Sequence, residues 1–220
     1  MSDIDGAELA RIVALSLTVS GFALAISSLI GIPLGVWLAM RRFWGKRLIV
    51  ASLYAGMGFP PVVIGLLVYL LLSRQGPLGG LGWLYAPKAM VAAQVIISLP
   101  VVASFTMVAV SGVSAGVRRQ ALTLGATEMQ AALAVLREAR LGVVVAVVGG
   151  FGSIISEVGA VMIVGGNLKG STQVLTTAIV QFTRMGLFAE ALLLGGVLLG
   201  MAFLINVAWL FLQGRRLAGE

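Results

Sequence analysis

The sequence of 220 residues contains no cysteine and no histidine. Disulfides, thiolate nucleophiles and thiolate metal sites are therefore excluded, and the commonest metal ligand and proton shuttle is missing. An intramembrane hydrolase is disfavoured as well, because no histidine, cysteine or second membrane carboxylate is available to form a catalytic pair. We expect neither a cofactor nor a metal site.

Charged residues are also scarce, at 10%, whereas hydrophobic residues make up 60% and the mean hydropathy is +1.08. These values are typical of an integral membrane protein. The length allows about five or six membrane helices of roughly 20 to 25 residues, so residues 1–220 are expected to form one all-α transmembrane domain. The net charge of +7 does not indicate nucleic-acid binding, because the positive residues are scattered over short loops.

Five apolar runs are long enough to cross a bilayer. They cover about Ile12 to Met40, Leu48 to Ser73, Pro87 to Ser111, Leu141 to Val164 and Ala189 to Leu212. The first run is expected to remain as a permanent helix, since a cleaved signal peptide would begin with basic residues. Here the acidic residues Asp3, Asp5 and Glu8 precede it.

Lysine and arginine are unevenly divided between the two sides of this predicted bundle. Ten of the fifteen fall on one side: Arg41, Arg42, Lys46, Arg47, Arg118, Arg119, Arg137, Arg140, Arg215 and Arg216. The positive-inside rule makes that side cytoplasmic. We therefore expect a cell-membrane protein with five crossings, its N-terminus outside and its C-terminus in the cytoplasm.

Several prolines and glycines lie inside the predicted membrane helices. Proline removes a backbone hydrogen bond, which predicts distortions at Pro33, Pro60, Pro61 and Pro100. The cluster Gly58-Phe59-Pro60-Pro61 is dense enough to predict a bend that lines a path. Small residues four apart allow close helix approach, as in Gly31/Gly35, Ser52/Gly56 and Gly196/Gly200.

The longest predicted cytoplasmic connection, residues 112–140, alternates polar and apolar residues with helical spacing. The pattern predicts two short helices with Gly125 and Ala126 at their junction, where a glycine permits a tight turn or a close backbone contact. An amphipathic loop that lies on the membrane is the alternative interpretation.

Glu157 places a carboxylate deep in an apolar run, where an ionisable side chain is costly and usually has a partner or faces water. Three interpretations are open. The first is a buried carboxylate that is paired with arginine or bonded to serine and backbone donors in a structural role. The second is a residue that lines a gate. The third is a direct ligand of an anionic substrate, which charge repulsion disfavours.

A further short helix is predicted between Gln173 and Gly186. Its apolar stripe contains Val174, Leu175, Ala178, Ile179 and Phe182, but the segment is too short to span the bilayer. It is interpreted either as a connector on the outer face or as part of a gate.

Two motifs resemble the permeases of ATP-binding-cassette importers. The connection around Gly125 resembles their EAA loop through Ala121, Leu124, Gly125, Ala126 and Val135, with Arg119 and Gln120 at the positions of its first Glu-Ala and Arg137-Glu138 at its final Leu-Pro. The segment from Glu157 to Val180, with E-x-GA, GGN and VLTTAIV, resembles the oxyanion branch of these permeases. It is most similar to the tungstate permeases and less similar to the molybdate permeases.

The resemblance implies a type I permease that acts as a homodimer in membrane lipid, with the pathway on the two-fold axis. It also implies two copies of a cytoplasmic ATPase, into which the EAA loop inserts as a coupling helix, and an extracytoplasmic tungstate-binding protein. The chain itself is not expected to be an enzyme, because it contains no G-x-x-x-x-G-K-[ST] motif for nucleotide. The outer loops from Arg74 to Lys88 and from Gly165 to Arg184 are the expected docking surface for the binding protein.

Neutral donors on the exit side are the expected contacts of a transported anion, because tight binding would prevent its release. The candidates are Ser153, Ser156, Asn167, Thr176 and Thr177. A secondary transporter that uses Glu157 as its proton-coupling acid is the alternative from another class, although the sequence shows no inverted repeat of the kind common in such proteins.

Overall fold

A computed structural model describes residues 5–217, and the side chains of residues 5–207. Asp3 lies outside the described residues, and Arg215 and Arg216 lie outside the described side chains. Within the described part of the chain, three helices are individually long and apolar enough to span a membrane: α1 (Gly6–Met40), α4 (Pro87–Ser111) and α10 (Phe188–Leu217), the last assessed over Phe188–Val207. They correspond to the first, third and fifth predicted runs.

The second and fourth predicted runs are each broken into two helices. The second run forms α2 (Lys46–Met57) and α3 (Pro61–Leu72), which are bent by 103°, and the fourth forms α7 (Arg140–Ile155) and α8 (Gly159–Gly165), bent by 58°. Pro60 and Pro61 lie at the start of α3, where missing N–H groups cost little. Counted as one span each, the broken pairs bring the described residues to five spans, whereas α1 and α4 continue through Pro33 and Pro100.

The connections contain three further α-helices among the described residues. The predicted helix pair forms α5 (Ala115–Thr123) and α6 (Glu128–Glu138), and the segment after α8 forms α9 (Leu175–Arg184). A short 3₁₀ turn occupies Gly79–Leu81. The prediction of two helices that meet at Gly125 and Ala126 is therefore confirmed.

Helix α4 lies at the centre of the bundle and contacts α1, α2, α3, α7 and α8. The predicted close approach at Gly35 is an α1–α4 contact, since a Cβ atom there would lie 2.6 Å from the carbonyl oxygen of Ala103. The hydroxyl groups of Ser27 and Ser98 bond across the same interface at 2.6 Å. Small residues and a shared hydroxyl bond thus replace bulky packing at the centre.

The bundle has two distinct ends. At the first, called the α9 end, Lys169 Nζ lies 2.9 Å from Glu8 Oε1 and Tyr85 N–H donates to the Val164 carbonyl at 2.9 Å. At the other, called the α6 end, Val135 packs with Val110 and Ala139 beside the last turn of α1. The two candidate motifs therefore lie at opposite ends of the spanning helices.

Candidate functional site

Side chains cap the N-termini of both α5 and α6, which stabilises each helix. Ser114 Oγ accepts from Gly116 N–H at 3.2 Å at the start of α5. At the start of α6, Gln130 N–H donates to Thr127 Oγ1 at 3.3 Å, and Thr127 N–H donates to Gln130 Oε1 at 2.8 Å. This reciprocal capping box satisfies two backbone donors at the start of α6.

The turn between the two helices depends on Gly125, whose φ is +88°. Gly125 N–H donates to the Leu122 carbonyl at 3.0 Å, and Ala126 N–H donates to the Ala121 carbonyl at 3.1 Å. These two bonds form a Schellman motif, which ends a helix on a left-handed residue. A residue with a Cβ atom is disfavoured in that conformation, which explains why glycine is at the junction.

The pair exposes large apolar side chains to solvent. Leu124 is 81% and Met129 is 72% exposed, and Arg119 is also exposed beside them, whereas Ala121 and Ala126 are half-buried. Across the pair, Arg118 Nη2 lies 2.7 Å from Glu128 Oε2. Exposed large apolar groups on a capped helix pair are typical of a protein-binding surface.

Val135 has a different position from the other residues of this motif. It is 4% exposed and packs inside the chain against Val110 and Ala139. Val135 therefore anchors α6 to the spanning helices rather than presenting a side chain to a partner.

The break between α7 and α8 is closed by three polar side chains. Glu157 Oε1 accepts from Ala160 N–H at 2.9 Å in the first turn of α8. Thr176 Oγ1 donates to the Glu157 carbonyl at 2.9 Å, and Gln94 Nε2 donates to the Ile154 carbonyl at 3.0 Å. These bonds satisfy backbone groups that a broken helix would otherwise leave exposed within the bilayer. The contact of Glu157 with a backbone donor matches the structural interpretation.

The E-x-GA residues also allow α8 to approach α3 closely. A Cβ atom on Gly159 would lie 2.5 Å from Val62 Cγ2, and a Cβ atom on Gly65 would lie 2.6 Å from the Ala160 Cα. Larger side chains at these positions would force the two helices apart. The motif therefore combines a helix cap with a tight contact between the two broken spans.

The GGN residues end α8 and turn the chain back. Gly166 and Asn167 have φ values of +72° and +49°, in the left-handed region that glycine and asparagine adopt most readily. Thr172 Oγ1 then donates to the Gly165 carbonyl at 2.5 Å and accepts from Leu168 N–H at 3.0 Å. The returning chain is thereby held against the end of α8.

Side-chain amides connect this turn to α9. Gln181 Oε1 accepts from Asn167 Nδ2 and from Gln173 Nε2, each at 2.7 Å. The first turns of α9 are buried, and Leu175 and Ala178 pack with Ile12 and Leu194. Since the N-terminal half of α9 is enclosed by α1 and α10, the interpretation as a connector lying on the surface is wrong.

The predicted donor side chains lie near this break, but their hydroxyl protons are used within the chain. Ser153 donates to the Gly150 carbonyl at 2.8 Å and Ser156 to the Gly152 carbonyl at 2.9 Å. Thr176 donates to Glu157, and Thr177 donates to the Val174 carbonyl at 3.1 Å. In this conformation the hydroxyls stabilise helix ends and turns, and they do not point a free donor at an anion.

Sequence reasoning missed two glutamines of this site. Gln94 is 3% exposed in the middle of α4, and Gln181 joins two segments of the turn. The signal for Gln94 was available, because a lone amide in an apolar run requires a partner for the same reason as Glu157. Its contact with Ile154 could not be predicted from the sequence, since 60 residues separate the two.

Comparison with known proteins gives one family match and several similar proteins. Residues 31–215 match the family described as "binding-protein-dependent transport system inner membrane component". The chain is 42% identical to a probable anion ABC transporter permease protein of Haloferax volcanii, over 94% of this chain and 91% of that protein.

Two other relatives have named substrates. The chain is 42% identical to the tungstate uptake system permease protein TupB of Peptoclostridium acidaminophilum, over 92% of this chain and 89% of the relative. It is 27% identical to the molybdenum transport system permease protein ModB of Haemophilus influenzae, over 90% of this chain and 93% of the relative.

Proposed function

The chain belongs to the family of binding-protein-dependent transport system inner membrane components, and from this premise we propose that it forms the pathway of an ATP-driven tungstate importer. The tungstate relative supports this substrate better than the molybdenum relative supports molybdate, at 42% against 27% identity. Molybdate is the alternative substrate of the same mechanism. Two copies of the chain form the permease, with the pathway between them.

The observation that carries the mechanism is the capped pair α5–α6. It presents Leu124 and Met129 to solvent while Val135 anchors it to α1 and α4. A motion imposed on the exposed surface therefore reaches the spanning helices through a rigid element. Two ATPase subunits, one for each copy of the chain, bind this surface and supply the nucleotide chemistry.

Orientation follows from the same assignment. The α6 end faces the cytoplasm, and the α9 end faces outward and carries the docking surface for a tungstate-binding protein. The loops 74–88 and 165–184 lie at that end and contain Arg74, Lys88, Lys169 and Arg184. With five spans the N-terminus is outside and the C-terminus is cytoplasmic.

The pathway needs no tight anion site, because selection belongs to the binding protein and release must be rapid. The break at Glu157 supports a gate, since Thr176 of α9 bonds the backbone of the break through its side chain. We assign Glu157 and Thr176 to holding this gate, and Ser153, Ser156, Asn167 and Thr177 to its immediate surroundings. Glu157 does not bind the anion.

The test is to co-purify the chain with its ATPase in lipid nanodiscs and to measure ATP turnover. We expect tungstate-loaded binding protein to stimulate turnover above the level seen with the unloaded protein, and molybdate-loaded protein to stimulate it less. Equal stimulation by both anions would contradict the assignment of tungstate as the preferred substrate. Vesicles that accumulate tungstate without ATPase, driven by an ion gradient, would contradict the mechanism and favour a secondary transporter.

A further inference from the structure

A cationic segment follows the last turn of α1 at the α6 end. Arg41, Arg42, Lys46 and Arg47 fall within seven residues, and the sequence contains no acidic residue between Glu8 and Glu128. Lys46 Nζ donates to the Arg41 backbone carbonyl at 3.2 Å, which places the lysine ammonium beside the end of α1. Trp44, between them, is 100% exposed.

Three of these cations line one open cavity of about 1060 Å³. Arg42, Lys46 and Arg47 surround it together with Phe43, Trp44 and Tyr54, and among the described residues no carboxylate lines it. The combination of cations with tryptophan and tyrosine where a spanning helix ends is typical of the boundary between bilayer and water. This cavity therefore attracts anions at the level of the lipid headgroups.

An apolar groove of about 540 Å³ lies beside the same segment, between α1 and α6. Its apolar lining comes from α1, with Pro33, Val36 and Trp37, and from α6, with Met129, Ala132 and Leu133. Its charged lining among the described residues is Arg41 and the ion pair of Arg118 with Glu128, which leaves Arg41 as the cation without a carboxylate partner in the groove. The α1 residues that line it, from Ile32 to Met40, extend about 12 Å along the helix. A compact anion would use the cations but leave this length of apolar surface uncovered.

We propose that Arg41, Arg42 and the adjoining α1–α6 groove form a binding site for one anionic phospholipid of the cytoplasmic leaflet. The phosphodiester lies among the cations, and an acyl chain lies in the groove. Charge complementarity selects the headgroup, since each lysine or arginine near the surface favours anionic lipid. Because α6 forms one wall, the bound lipid contacts both a spanning helix and the exposed pair.

The experiment is native mass spectrometry of the full-length chain in detergent, titrated with phosphatidylglycerol or with phosphatidylcholine of the same acyl chains. We expect one retained phosphatidylglycerol per chain and markedly weaker retention of phosphatidylcholine. Arg41→Gln/Arg42→Gln should weaken phosphatidylglycerol binding roughly 30-fold, as expected for two lost surface cations. Arg74→Gln/Lys88→Gln, which removes two cations at the α9 end, should leave it unchanged.

Ala132→Phe fills the groove without changing the charge and should also weaken phosphatidylglycerol binding, with an unchanged melting temperature showing that the variant is folded. Excess inorganic phosphate should not displace the lipid. Displacement by phosphate, equal binding of both lipids, or the same loss in the α9-end variant would overturn the proposal. The proposal would also be overturned if Ala132→Phe separated two copies of the chain while still binding phosphatidylglycerol. In that case the groove would be a contact between the two copies and not a lipid site.

Discussion

At the residue scale, the polar side chains inside this bundle mainly bond backbone groups. Glu157, Thr176 and Gln94 each bond a backbone group at the break between α7 and α8. Leaving a buried N–H or C=O group unpaired costs about 1–3 kcal/mol. The carboxylate of Glu157 thus has a structural use that requires an acceptor oxygen and no negative charge.

Glu157→Gln should therefore preserve uptake, whereas Glu157→Ala should reduce it. The amide oxygen of glutamine can still accept from Ala160 N–H, while alanine leaves that donor unpaired and costs about 1 kcal/mol of stability. Uptake into vesicles is measured across pH for both variants at matched expression. A pH profile altered by Glu157→Gln would show that the charge itself takes part, as a proton-coupling acid would require.

Thr176→Val should destabilise the contact of α9 with the break between α7 and α8. It keeps the side-chain shape but removes the donor to the Glu157 carbonyl, which leaves a partly buried acceptor unpaired at a cost of about 1–3 kcal/mol. Thr176→Ser retains the hydroxyl and should be milder. Thermal unfolding of the purified variants in detergent distinguishes them, and equal melting temperatures for all three proteins would show that this bond is dispensable.

At the element scale, the contact between α3 and α8 depends on the lack of a side chain at Gly65. Gly65→Ala places a Cβ atom 2.6 Å from the Ala160 Cα, so one helix must move, and overpacking of this kind costs about 1–3 kcal/mol. Gly21→Ala, in α1, is the matched control because no atom of the described residues lies within 4 Å of its Cβ position. The control should be neutral or slightly more stable.

Melting temperatures of the two glycine variants provide the measurement. A large loss for Gly65→Ala beside an unchanged Gly21→Ala supports tight packing of the two broken spans. Similar melting temperatures would mean that α3 and α8 are not held together at this point.

Local patterns were sufficient for much of the architecture. Apolar runs located the spans, and the α5–α6 pair with Gly125 followed from helical spacing and one glycine. The break at Ser156 to Val158 was missed because it contains no proline, and its stabilising contacts come from distant residues such as Gln94 and Thr176. The bonds of the candidate donors were also not predictable from the sequence, which does not show that the Ser153 hydroxyl is bonded to the Gly150 carbonyl; their place beside the pathway stays a prediction.

At the scale of the whole molecule, coupling requires that an event at the α6 end reach the α9 end. Gly125→Asp tests this, because no atom of the described residues lies within 4 Å of a Cβ atom there and the substitution meets no neighbour within the chain. We expect the variant to insert normally, but we expect its complex with the ATPase to hydrolyse ATP without uptake. The reason is that the added carboxylate disturbs the surface to which the ATPase is proposed to bind.

Gly186→Asp is the matched control for that variant. Gly186 also has a positive φ, +77°, and an open Cβ position, but it lies between α9 and α10, outside the loops 74–88 and 165–184 that are proposed to dock the binding protein. Its backbone strain is comparable, so a defect confined to Gly125→Asp reports on the partner and not on folding. Normal uptake by Gly125→Asp would contradict the assignment of the coupling surface.

The orientation of the bundle can be tested directly because the chain contains no cysteine, so each introduced thiol is unique. Trp44→Cys and Leu124→Cys lie at the α6 end, and Gly80→Cys and Met185→Cys lie at the α9 end. All four positions are exposed. A membrane-impermeant maleimide added to intact cells should label the α9-end pair, and should label the α6-end pair after the membrane is opened. The reverse labelling pattern would show that the bundle has the opposite orientation. Ten of the fifteen positive residues would then face outward, which is against the usual bias of membrane insertion.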